Sequence, residues 1–546
     1  MNEEIKLPTD YQTFIHQSRY ARWLDNENRR ETWEESVNRY INYMIEKGLP
    51  EKEALEVKEA MLSLNIVGSM RAFMTAGPAL DRDNTAGYNC AYLTVDDVKS
   101  FDEAMYILLC GTGVGFSVER QYINKLPDVP DQMFNSDTVI VVQDSKAGWA
   151  KSYRQLIALL YSGEIPKWDV SKVRPKGARL KVFGGRASGP DPLVELFKFT
   201  VDKFKSAVGR KLNSLECHDL MCKIGEVVVS GGVRRSAMLS LSNLSDDRMR
   251  YAKSGQWWEN NPQRALSNNS IAYTEKPDIE VFTREWLALM ESKSGERGIF
   301  SRTASKKKVE NIGRRDSNYE FGCNPCSEII LRPNQFCNLT EVIIKYDDTI
   351  DSVAEKVRLA TILGTVQSTL TYFPYLRKVW KTNTEEERLL GVSLTGILDN
   401  PLFTLHNKNL SYDLDYLRKV AIDTNKEYAE KLGISASTAI TCVKPSGTVS
   451  QLTNSASGIH PRYSRYYIRT VRADVKDPLA TFMSESGIPV EPDVMNPLNT
   501  VVFSFPTKSP LMSVLRDELT AIDQLNLWMT YQDHWCEHKP CQTLHL

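Results

Sequence analysis

The most reactive side chains in this sequence are concentrated in one short segment. It reads Gly322-Cys-Asn-Pro-Cys-Ser-Glu-Ile-Ile-Leu331, and another cysteine follows at position 337. Asn324, Cys326 and Glu328 alternate along it, so an extended backbone would point all three side chains to one face. A thiol flanked by an amide and a carboxylate could abstract a hydrogen atom while its neighbours orient and deprotonate a hydroxyl. The segment therefore predicts a reactive triplet.

Two other interpretations of Cys323 and Cys326 stay open at this point. A C-x-x-C pair is ordinarily half of a zinc site or a thioredoxin-like dithiol. Zinc needs two further ligands, yet the chain has seven histidines and no second C-x-x-C. A redox dithiol should open a helix, whose dipole lowers the thiol pKa, whereas residues 328–331 have the composition of a strand. Both alternatives fit less well than the triplet, and no metal site is predicted.

Two glycine-containing motifs could bind phosphate. Lys444-Pro-Ser-Gly-Thr-Val-Ser450 places hydroxyls and backbone N–H groups before an apolar run, which suits phosphate, although an ordinary helix cap has the same composition. Gly111-Thr-Gly-Val-Gly115 follows a helical segment and lacks the final spaced glycine of a dinucleotide fingerprint. A Rossmann-type site is therefore excluded at the second motif.

The elements around these motifs alternate between helix and strand. Residues 12 to about 75 have helical periodicity, with Trp23, Trp33, Val37 and Tyr40 spaced for one face. The strand candidates that follow are 88–94, 138–142, 227–230, 270–274 and 328–331, and helices such as 100–110 and 192–207 lie between them. This order predicts a helical N-terminal region, residues 1–80, followed by one catalytic α/β domain, residues 81–546.

Composition and charge narrow the class of protein. Lys and Arg total 68 against 69 Asp and Glu, so no global field would attract nucleic acid or anionic lipid, and direct nucleic-acid binding is not expected. No stretch approaches the roughly 20 apolar residues of a membrane helix, and the N-terminus lacks a signal-peptide layout. We therefore expect a cytoplasmic protein without membrane contact.

The cysteines fit a reducing compartment. Ten in 546 residues are too sparse for a disulfide framework, so most should be plain buried thiols. Cys217, His218 and Cys222 lie on one predicted helix, 212–227, but partly on different faces. This arrangement indicates core thiols and a hydrogen-bonded histidine instead of a metal cluster.

At this point the sequence resembles a known family, the adenosylcobalamin-dependent, class II ribonucleotide reductases, particularly the ribonucleoside-triphosphate reductase branch. The resemblance covers nearly the whole chain, and its nine motifs occur in the family's order. They are Tyr20-Ala-Arg-Trp23, Tyr88-Asn-Cys90, Gly111-Thr-Gly-Val-Gly-Phe-Ser117, Phe183-Gly-Gly-Arg-Ala-Ser-Gly-Pro190, Gly232-Val-Arg-Arg-Ser-Ala237, Ser267-Asn-Asn-Ser270, Asn324-Pro-Cys-Ser-Glu328, Cys337-Asn-Leu339 and Lys444-Pro-Ser-Gly-Thr-Val449. The resemblance implies a ten-stranded α/β barrel that reduces ribonucleoside tri- or diphosphates to deoxyribonucleotides.

The resemblance also implies a role for each residue of the triplet. Cys326, at the tip of a loop inside the barrel, would become a thiyl radical through adenosylcobalamin. Glu328 would act as the general base and Asn324 would hold the substrate hydroxyls. Cys90 and Cys337 would supply the electrons by forming a disulfide, which a thioredoxin-like reductant would reopen. These two cysteines are separated by 247 residues (337 minus 90), so only tertiary folding could bring them within disulfide range.

Nucleotide-binding segments follow from the same resemblance. Ser446, Gly447 and Thr448 would bind the substrate phosphates. The segment Gln263-Arg-Ala-Leu-Ser-Asn-Asn269 aligns with a flexible loop that connects a deoxynucleotide effector to the substrate base. Its candidate residues are Gln263, Arg264, Ser267, Asn268 and Asn269.

The sequence departs from the family at two places. Between Ser117 and Gly184 we expect no room for the long insertion with which monomeric members imitate a dimer partner. The chain also stops where family members continue, and Cys536 and Cys541 do not match the family's redox tail. A second chain could supply the missing segment.

Three other hypotheses remain. The chain could be a class I reductase large subunit, a glycyl-radical enzyme, or a non-catalytic nucleotide-binding subunit.

Overall fold

The structure is a computed structural model that describes residues 6–178, 187–230, 238–475 and 478–544. Two of the sequence motifs are affected by the gaps. The motif 183–190 lies partly outside the described residues, and the motif 232–237 lies wholly outside them.

Helices and strands alternate along most of the chain. The helices are α1 (Asp10–Arg19), α2 (Trp33–Glu46), α3 (Glu51–Leu62), α4 (Met70–Thr75), α5 (Pro78–Arg82), α6 (Ser100–Leu109), α7 (Arg120–Ile123), α8 (Lys146–Tyr161), α9 (Asp191–Ser206), α10 (Ser214–Ser230), α11 (Asp247–Arg250), α12 (Trp257–Asn260), α13 (Ile279–Ser292), α14 (Arg302–Ile312), α15 (Ile350–Gln367), α16 (Lys378–Glu387), α17 (Leu410–Lys431), α18 (Gly447–Thr453), α19 (Pro478–Glu485) and α20 (Ala521–His534). The strands are β1 (Trp23–Leu24), β2 (Arg29–Arg30), β3 (Ile66–Val67), β4 (Cys90–Thr94), β5 (Gly113–Ser117), β6 (Phe134–Val141), β7 (Glu164–Asp169), β8 (Met238–Ser242), β9 (Ser267–Tyr273), β10 (Gly298–Ser301), β11 (Gly322–Cys323), β12 (Ile330–Leu331), β13 (Gln335–Ile343), β14 (Leu390–Thr395), β15 (Thr441–Cys442), β16 (Tyr466–Asp474), β17 (Val490–Pro492) and β18 (Thr500–Lys508). The predicted α/β class is confirmed.

The central sheet consists of two parallel halves that meet at one antiparallel seam. The first half has the order β10-β9-β8-β5-β4, and the second has the order β13-β14-β15. At the seam, β13 runs antiparallel to β4, and the short β3 continues along the same side of β13. Within the described ranges these nine strands form an open sheet, so the closed ten-stranded barrel of the expectation is not observed.

The seam strands are buried on both faces. All five residues of β4 and all nine of β13 are buried, as is usual for strands that are covered on two sides. On one face, α15 packs through Val353, Val357 and Leu363. The other face carries a separate apolar cluster that includes Cys90, Cys337 and residues of the segment 323–331. This second face is therefore the one that holds the predicted triplet.

Three strand predictions need correction. Residues 227–230 form the last turn of α10, because the short valine run belongs to a helix that is largely buried. Gly113–Ser117 is strand β5, which is absent from the predicted strands. The predicted strand 138–142 largely coincides with β6, but among the described residues β6 pairs with β7 alone, in a two-stranded parallel sheet outside the central one.

The N-terminal region is helical apart from a small hairpin. Trp33, Val37 and Tyr40 are buried on one face of α2, as their spacing predicts. Trp23 instead lies in β1, which pairs with β2. The described helices are all too short or too polar to cross a membrane.

Candidate active site

Cys326 lies at the tip of a hairpin formed by β11 and β12. Gly322 pairs with Leu331, and Cys323 pairs with Ile330. The Ser327 N–H donates to the Asn324 carbonyl at 2.9 Å, and Ser327 has a φ of +64° in the left-handed region. The residues between the strands thus form a tight turn, so the extended backbone on which the alternation of Asn324, Cys326 and Glu328 depended is not observed, and only Ile330 and Leu331 of the predicted strand 328–331 are in a strand. The turn exposes Cys326, whereas eight of the other nine cysteines are buried.

The hairpin rests directly on the central sheet. A Cβ atom added to Gly115 of β5 would lie 1.8 Å from the carbonyl oxygen of Cys323, far inside contact distance. Glycine is therefore required at this position, because the two backbones approach each other too closely for any side chain. The second glycine-rich motif of the sequence thus serves to seat the hairpin.

Asn324 connects the hairpin to β4. Its Nδ2 donates to Glu328 Oε2 at 2.8 Å and to the Cys90 sulfur at 3.3 Å. Its Oδ1 accepts from the Ile329 N–H at 3.1 Å. All of these groups are buried, so the amide orientation is fixed on both sides. The structure therefore brings Asn324 and Glu328 together by a turn and a hydrogen bond, not by alternation along a strand.

Glu328 lies in a mostly apolar environment with two lysines nearby. Burial raises the pKa of its carboxyl above the ordinary value. The hydrogen bond from Asn324 and the positive charges of Lys444 and Lys539 lower that pKa in part. A carboxylate with a raised pKa is a better proton acceptor than an exposed one, which is the chemistry of a general base.

Cys90 and Cys337 lie directly opposite each other across the seam of the sheet. They are register partners in the antiparallel pair of β4 and β13. Such partners have Cα atoms about 4.5 or 5.5 Å apart, depending on the type of pair, which is within disulfide range. Both residues are free thiols, and burial raises the pKa of each well above its ordinary value. The geometric requirement for the distant pair is met.

Residues 537–541 form a further wall of the site that the sequence did not reveal. The Lys539 N–H donates to the Glu328 carbonyl at 2.9 Å. His538 Nδ1 accepts from the Ile330 N–H at 3.4 Å, and its Nε2 lies 3.0 Å from the Leu390 carbonyl. Burial raises the pKa of Cys541 to about 12, and the charge of Glu328 adds to this effect. In the sequence, only Cys536 and Cys541 drew attention to this segment, and they do not match the redox tail of the family.

The predicted phosphate segment opens a short helix. Gly447 is the first residue of α18, and Ser446 precedes it with a φ of +32°. The Ser446 side chain is buried, Gly447 is exposed and Thr448 is half-buried. Backbone N–H groups at a helix start can bind an anion. The structure thus exposes part of this segment but buries the Ser446 hydroxyl.

The predicted effector segment is not a flexible surface loop. Gln263 and Arg264 are buried in a short 3-10 turn, where the Arg264 guanidinium makes two hydrogen bonds to Asp219, at 2.7 and 3.0 Å. Ser267, Asn268 and Asn269 begin strand β9. The polar composition of this segment is typical of a surface loop, but its buried polar groups form hydrogen bonds in the interior.

His218 and its cysteine neighbours lie in the core, as predicted. His218 Nε2 lies 2.9 Å from Asn269 Oδ1, and Cys217 and Cys222 are fully buried on α10. The described residues contain no cluster of metal-binding side chains.

Comparisons with known proteins agree with this geometry. Residues 119–203 match the family model of the "B12-dependent ribonucleotide reductase, insertion domain". The adenosylcobalamin-dependent ribonucleoside-triphosphate reductase of Lactobacillus gasseri is 29% identical over 600 aligned residues, which cover 90% of this chain and 78% of that protein. The enzyme of the same name from Lactobacillus acidophilus is 28% identical with the same coverage.

Solved structures share the fold. A B-12 dependent, class II ribonucleotide reductase superposes with a TM-score of 0.83 at 23% identity, covering 99% of this chain and 90% of the other. The class Id α subunit of Actinobacillus ureae gives 0.52 at 12% identity, covering 88% and 79%. The fold is thus shared with ribonucleotide reductases, and the sequence is similar to the adenosylcobalamin-dependent enzymes among them. The predicted resemblance to the adenosylcobalamin-dependent, class II branch is confirmed.

The match to the insertion domain corrects one expectation. We expected no room for an insertion between Ser117 and Gly184, but the matched residues begin just after β5. They include β6, α8 and β7, which form a layer of their own.

Proposed function

We propose that this chain is the catalytic chain of an adenosylcobalamin-dependent ribonucleotide reductase, which converts ribonucleoside tri- or diphosphates to 2'-deoxyribonucleotides. One observation carries the proposal. The most exposed thiol of the chain, Cys326, projects from a turn whose base holds Asn324 and Glu328, next to the opposed thiols Cys90 and Cys337.

Cys326 is the residue that fits a radical-generating cofactor. Bound adenosylcobalamin supplies one-electron oxidation of a thiol through homolysis of its cobalt–carbon bond. The exposed position of Cys326 fits this chemistry, because a large cofactor could reach this sulfur but not the buried ones. The Cys326 thiyl then abstracts the hydrogen atom at C3' of the ribose and returns one to C3' at the end of the cycle.

Glu328 and Asn324 handle the substrate hydroxyls. The Glu328 carboxylate accepts the 3'-hydroxyl proton while the adjacent carbon carries the radical, which assists departure of the 2'-hydroxyl as water. Asn324 already binds Glu328 through Nδ2 and holds that carboxylate in place. The same amide can hydrogen-bond a substrate hydroxyl.

The thiol pair balances the electrons. Reduction at C2' replaces the hydroxyl with hydrogen and releases water, which requires two electrons. Cys90 and Cys337 supply them, together with two hydrogens, by becoming a disulfide across the seam. A thioredoxin-like dithiol then reduces that disulfide and prepares the next cycle.

The substrate phosphates bind at Ser446, Gly447 and Thr448, at the start of α18. The exposed Gly447 lets an anion approach the backbone N–H groups, and Thr448 can add a hydroxyl. A deoxynucleotide effector is a further proposed ligand. In the segment from Gln263 to Asn269, Asn268 has an exposed side chain near the start of β9, which makes it the candidate for relaying the effector's presence.

The open sheet supports a barrel completed by further strands. Five parallel strands on one side of the seam face three on the other, and residues 540 and 443 form a parallel bridge beyond β15. We propose that a second chain or segment adds strands there and closes a ten-stranded barrel.

The test is reduction of a ribonucleoside triphosphate with adenosylcobalamin and dithiothreitol, scored as deoxynucleotide by chromatography. We expect turnover by the wild-type chain, alone or with a second chain that adds strands to the open sheet, and none by Cys326→Ala. Cys110→Ala removes a buried thiol elsewhere in the core and serves as the matched control. Full activity of Cys326→Ala would overturn the proposal.

A further inference from the structure

One buried carboxylate on the active-site face has no part in the proposed mechanism. Glu341 lies four residues after Cys337 on β13, so the two side chains point to the same face of the sheet. Only 2% of the Glu341 side chain is exposed. Its Oε1 lies 3.2 Å from Nζ of Lys444, which forms an ion pair inside the protein. A buried charge of this kind is costly unless it is paired.

Strand register fixes the position of this pair. Glu341 lies opposite Ser393 of β14. The Ser393 hydroxyl accepts the Lys444 backbone N–H at 2.9 Å. Lys444 lies two residues after the end of β15 and two residues before Ser446, the first residue of the proposed phosphate segment. The ion pair therefore lies between the phosphate segment and the sheet.

The charge of Lys444 acts on the proposed general base. Burial lowers the pKa of Lys444, but the negative groups Glu341 and Glu328 outweigh burial and raise it, so the side chain stays an ammonium. In turn, Lys444 lowers the pKa of Glu328 more than Lys539 does. Lys444 thus interacts with two carboxylates: it forms an ion pair with Glu341, and its charge acts on Glu328, the proposed general base.

Other groups also face Glu328 from the packed elements. Asn324 donates a hydrogen bond from the hairpin, and Lys539 adds a positive charge from the segment 537–541. The thiols that interact with its charge are Cys90, Cys323, Cys337, Cys442 and Cys541. These thiols all have pKa values raised above 9.0, so they stay neutral in ordinary buffers. The two lysines are therefore the charges that set the ionisation of Glu328.

We propose that Glu341 and Lys444 are positioning residues for the general base: Glu341 holds the Lys444 ammonium under the phosphate segment, where its charge favours the proton-accepting carboxylate form of Glu328. The inference rests on the proposed function, in which Glu328 accepts a hydroxyl proton. It adds a link between the end of the site that binds phosphate and the end that moves a proton.

The test reads the Glu328 carboxyl directly and needs no turnover. The full chain is labelled with ¹³C at the glutamate side-chain carboxyl, and the Glu328 signal is assigned by its loss in Glu328→Gln. Its pKa is then measured by NMR titration in wild type and in Lys444→Met. Removing the ammonium should raise the pKa of Glu328 by about 1 or more. Lys444→Arg keeps the charge and should restore the wild-type titration.

Controls separate this effect from loss of structure. The double variant Lys444→Met/Glu341→Gln removes both members of the ion pair and should also shift the pKa of Glu328 upward, in a folded protein. Lys539→Met should shift the titration by less, and Lys431→Met, which breaks an exposed pair with Glu427, should not shift it. An unchanged Glu328 titration in both Lys444→Met and the double variant would overturn the inference.

Activity provides a second, separable readout. If the wild-type chain turns over, the acid limb of its kcat/KM profile should move to higher pH in Lys444→Met and return in Lys444→Arg. If the wild-type chain with every partner added reduces no ribonucleotide, the proposed function fails, while the titration still decides the role of Lys444.

Discussion

Two polar regions of this molecule are held in place in different ways. The pair Cys90 and Cys337 is fixed by backbone register, since each lies on a strand of the seam. Arg264 and Asn269, in the other region, are fixed by side-chain partners, Asp219 and His218. The first region keeps its thiols opposed whatever their chemistry, whereas the second depends on each charge having its counterpart. Substitutions should therefore damage function in the first region and stability in the second.

The largest effect should come from the register-fixed pair. Cys337→Ser removes one of the two electron donors while the strand pairing of β4 and β13 is preserved, because that pairing uses the backbone. We expect repeated turnover to fall below detection while the melting temperature changes little. Deoxynucleotide formation with dithiothreitol, measured beside a thermal melt, checks this. Near wild-type turnover would show that the pair is not the reductant.

The side-chain-fixed region should show the opposite behaviour. Arg264→Met leaves Asp219 buried, and its remaining charged neighbours among the described residues are Lys203, at 3.0 Å, and His218. Breaking a buried pair on one side costs about 3 kcal/mol of unfolding free energy. Urea denaturation measures this loss, and the double variant Arg264→Met/Asp219→Leu should recover part of it. If Arg264→Met has the unfolding free energy of the wild type, the side-chain pairing does not stabilise this region, and the proposed difference between the two regions is wrong.

The pH dependence of stability tests the role of His538, which lies at the base of the hairpin. Burial lowers the pKa of His538 to about 3, below the ordinary 6.5 of the unfolded chain. The unfolded chain therefore binds the proton first, and stability falls as the pH drops from about 6.5 towards 3. In His538→Asn this part of the acid loss should disappear. Urea midpoints at pH 7 and pH 5 measure it, and equal acid sensitivity of the two proteins would contradict the assignment.

The smallest effect is expected at Asn268, which is exposed beside the buried Asn269. Asn268→Ala should change the unfolding free energy by no more than about 0.5 kcal/mol. Asn269→Ala should cost more, because it removes a buried hydrogen bond to His218 Nε2. Urea denaturation of the two variants in parallel tests whether burial of the asparagine determines how much unfolding free energy is lost.

The sequence allowed the thiol chemistry to be predicted better than the burial of polar residues. The alternating α/β pattern and the helices near 100–110 and 192–207 are present in the structure. The motifs also led to Cys90, Cys326 and Cys337, which the structure brings to one face. These features depend on local periodicity and on residue identity, both of which are visible in a single chain.

The remaining features depend on contacts between distant residues. Neither the ion pair of Arg264 with Asp219 nor the pairing of β6 with β7 leaves a local signal. The valines at 227–229 have a strand-like composition, but their burial within α10 overrides that propensity. The position of Lys539 at Glu328, 211 residues later in the chain (539 minus 328), could not be inferred from spacing at all.

The wall formed by residues 537–541 has a consequence for synthesis of the protein. The hairpin that carries Cys326 is bonded at its base by His538 and Lys539. Contacts between such distant residues form late, since a long loop must first be closed. A ribosome-bound chain that ends before residue 537 would lack these bonds. The reactive thiol would then gain its final environment only after nearly all of this chain has been made.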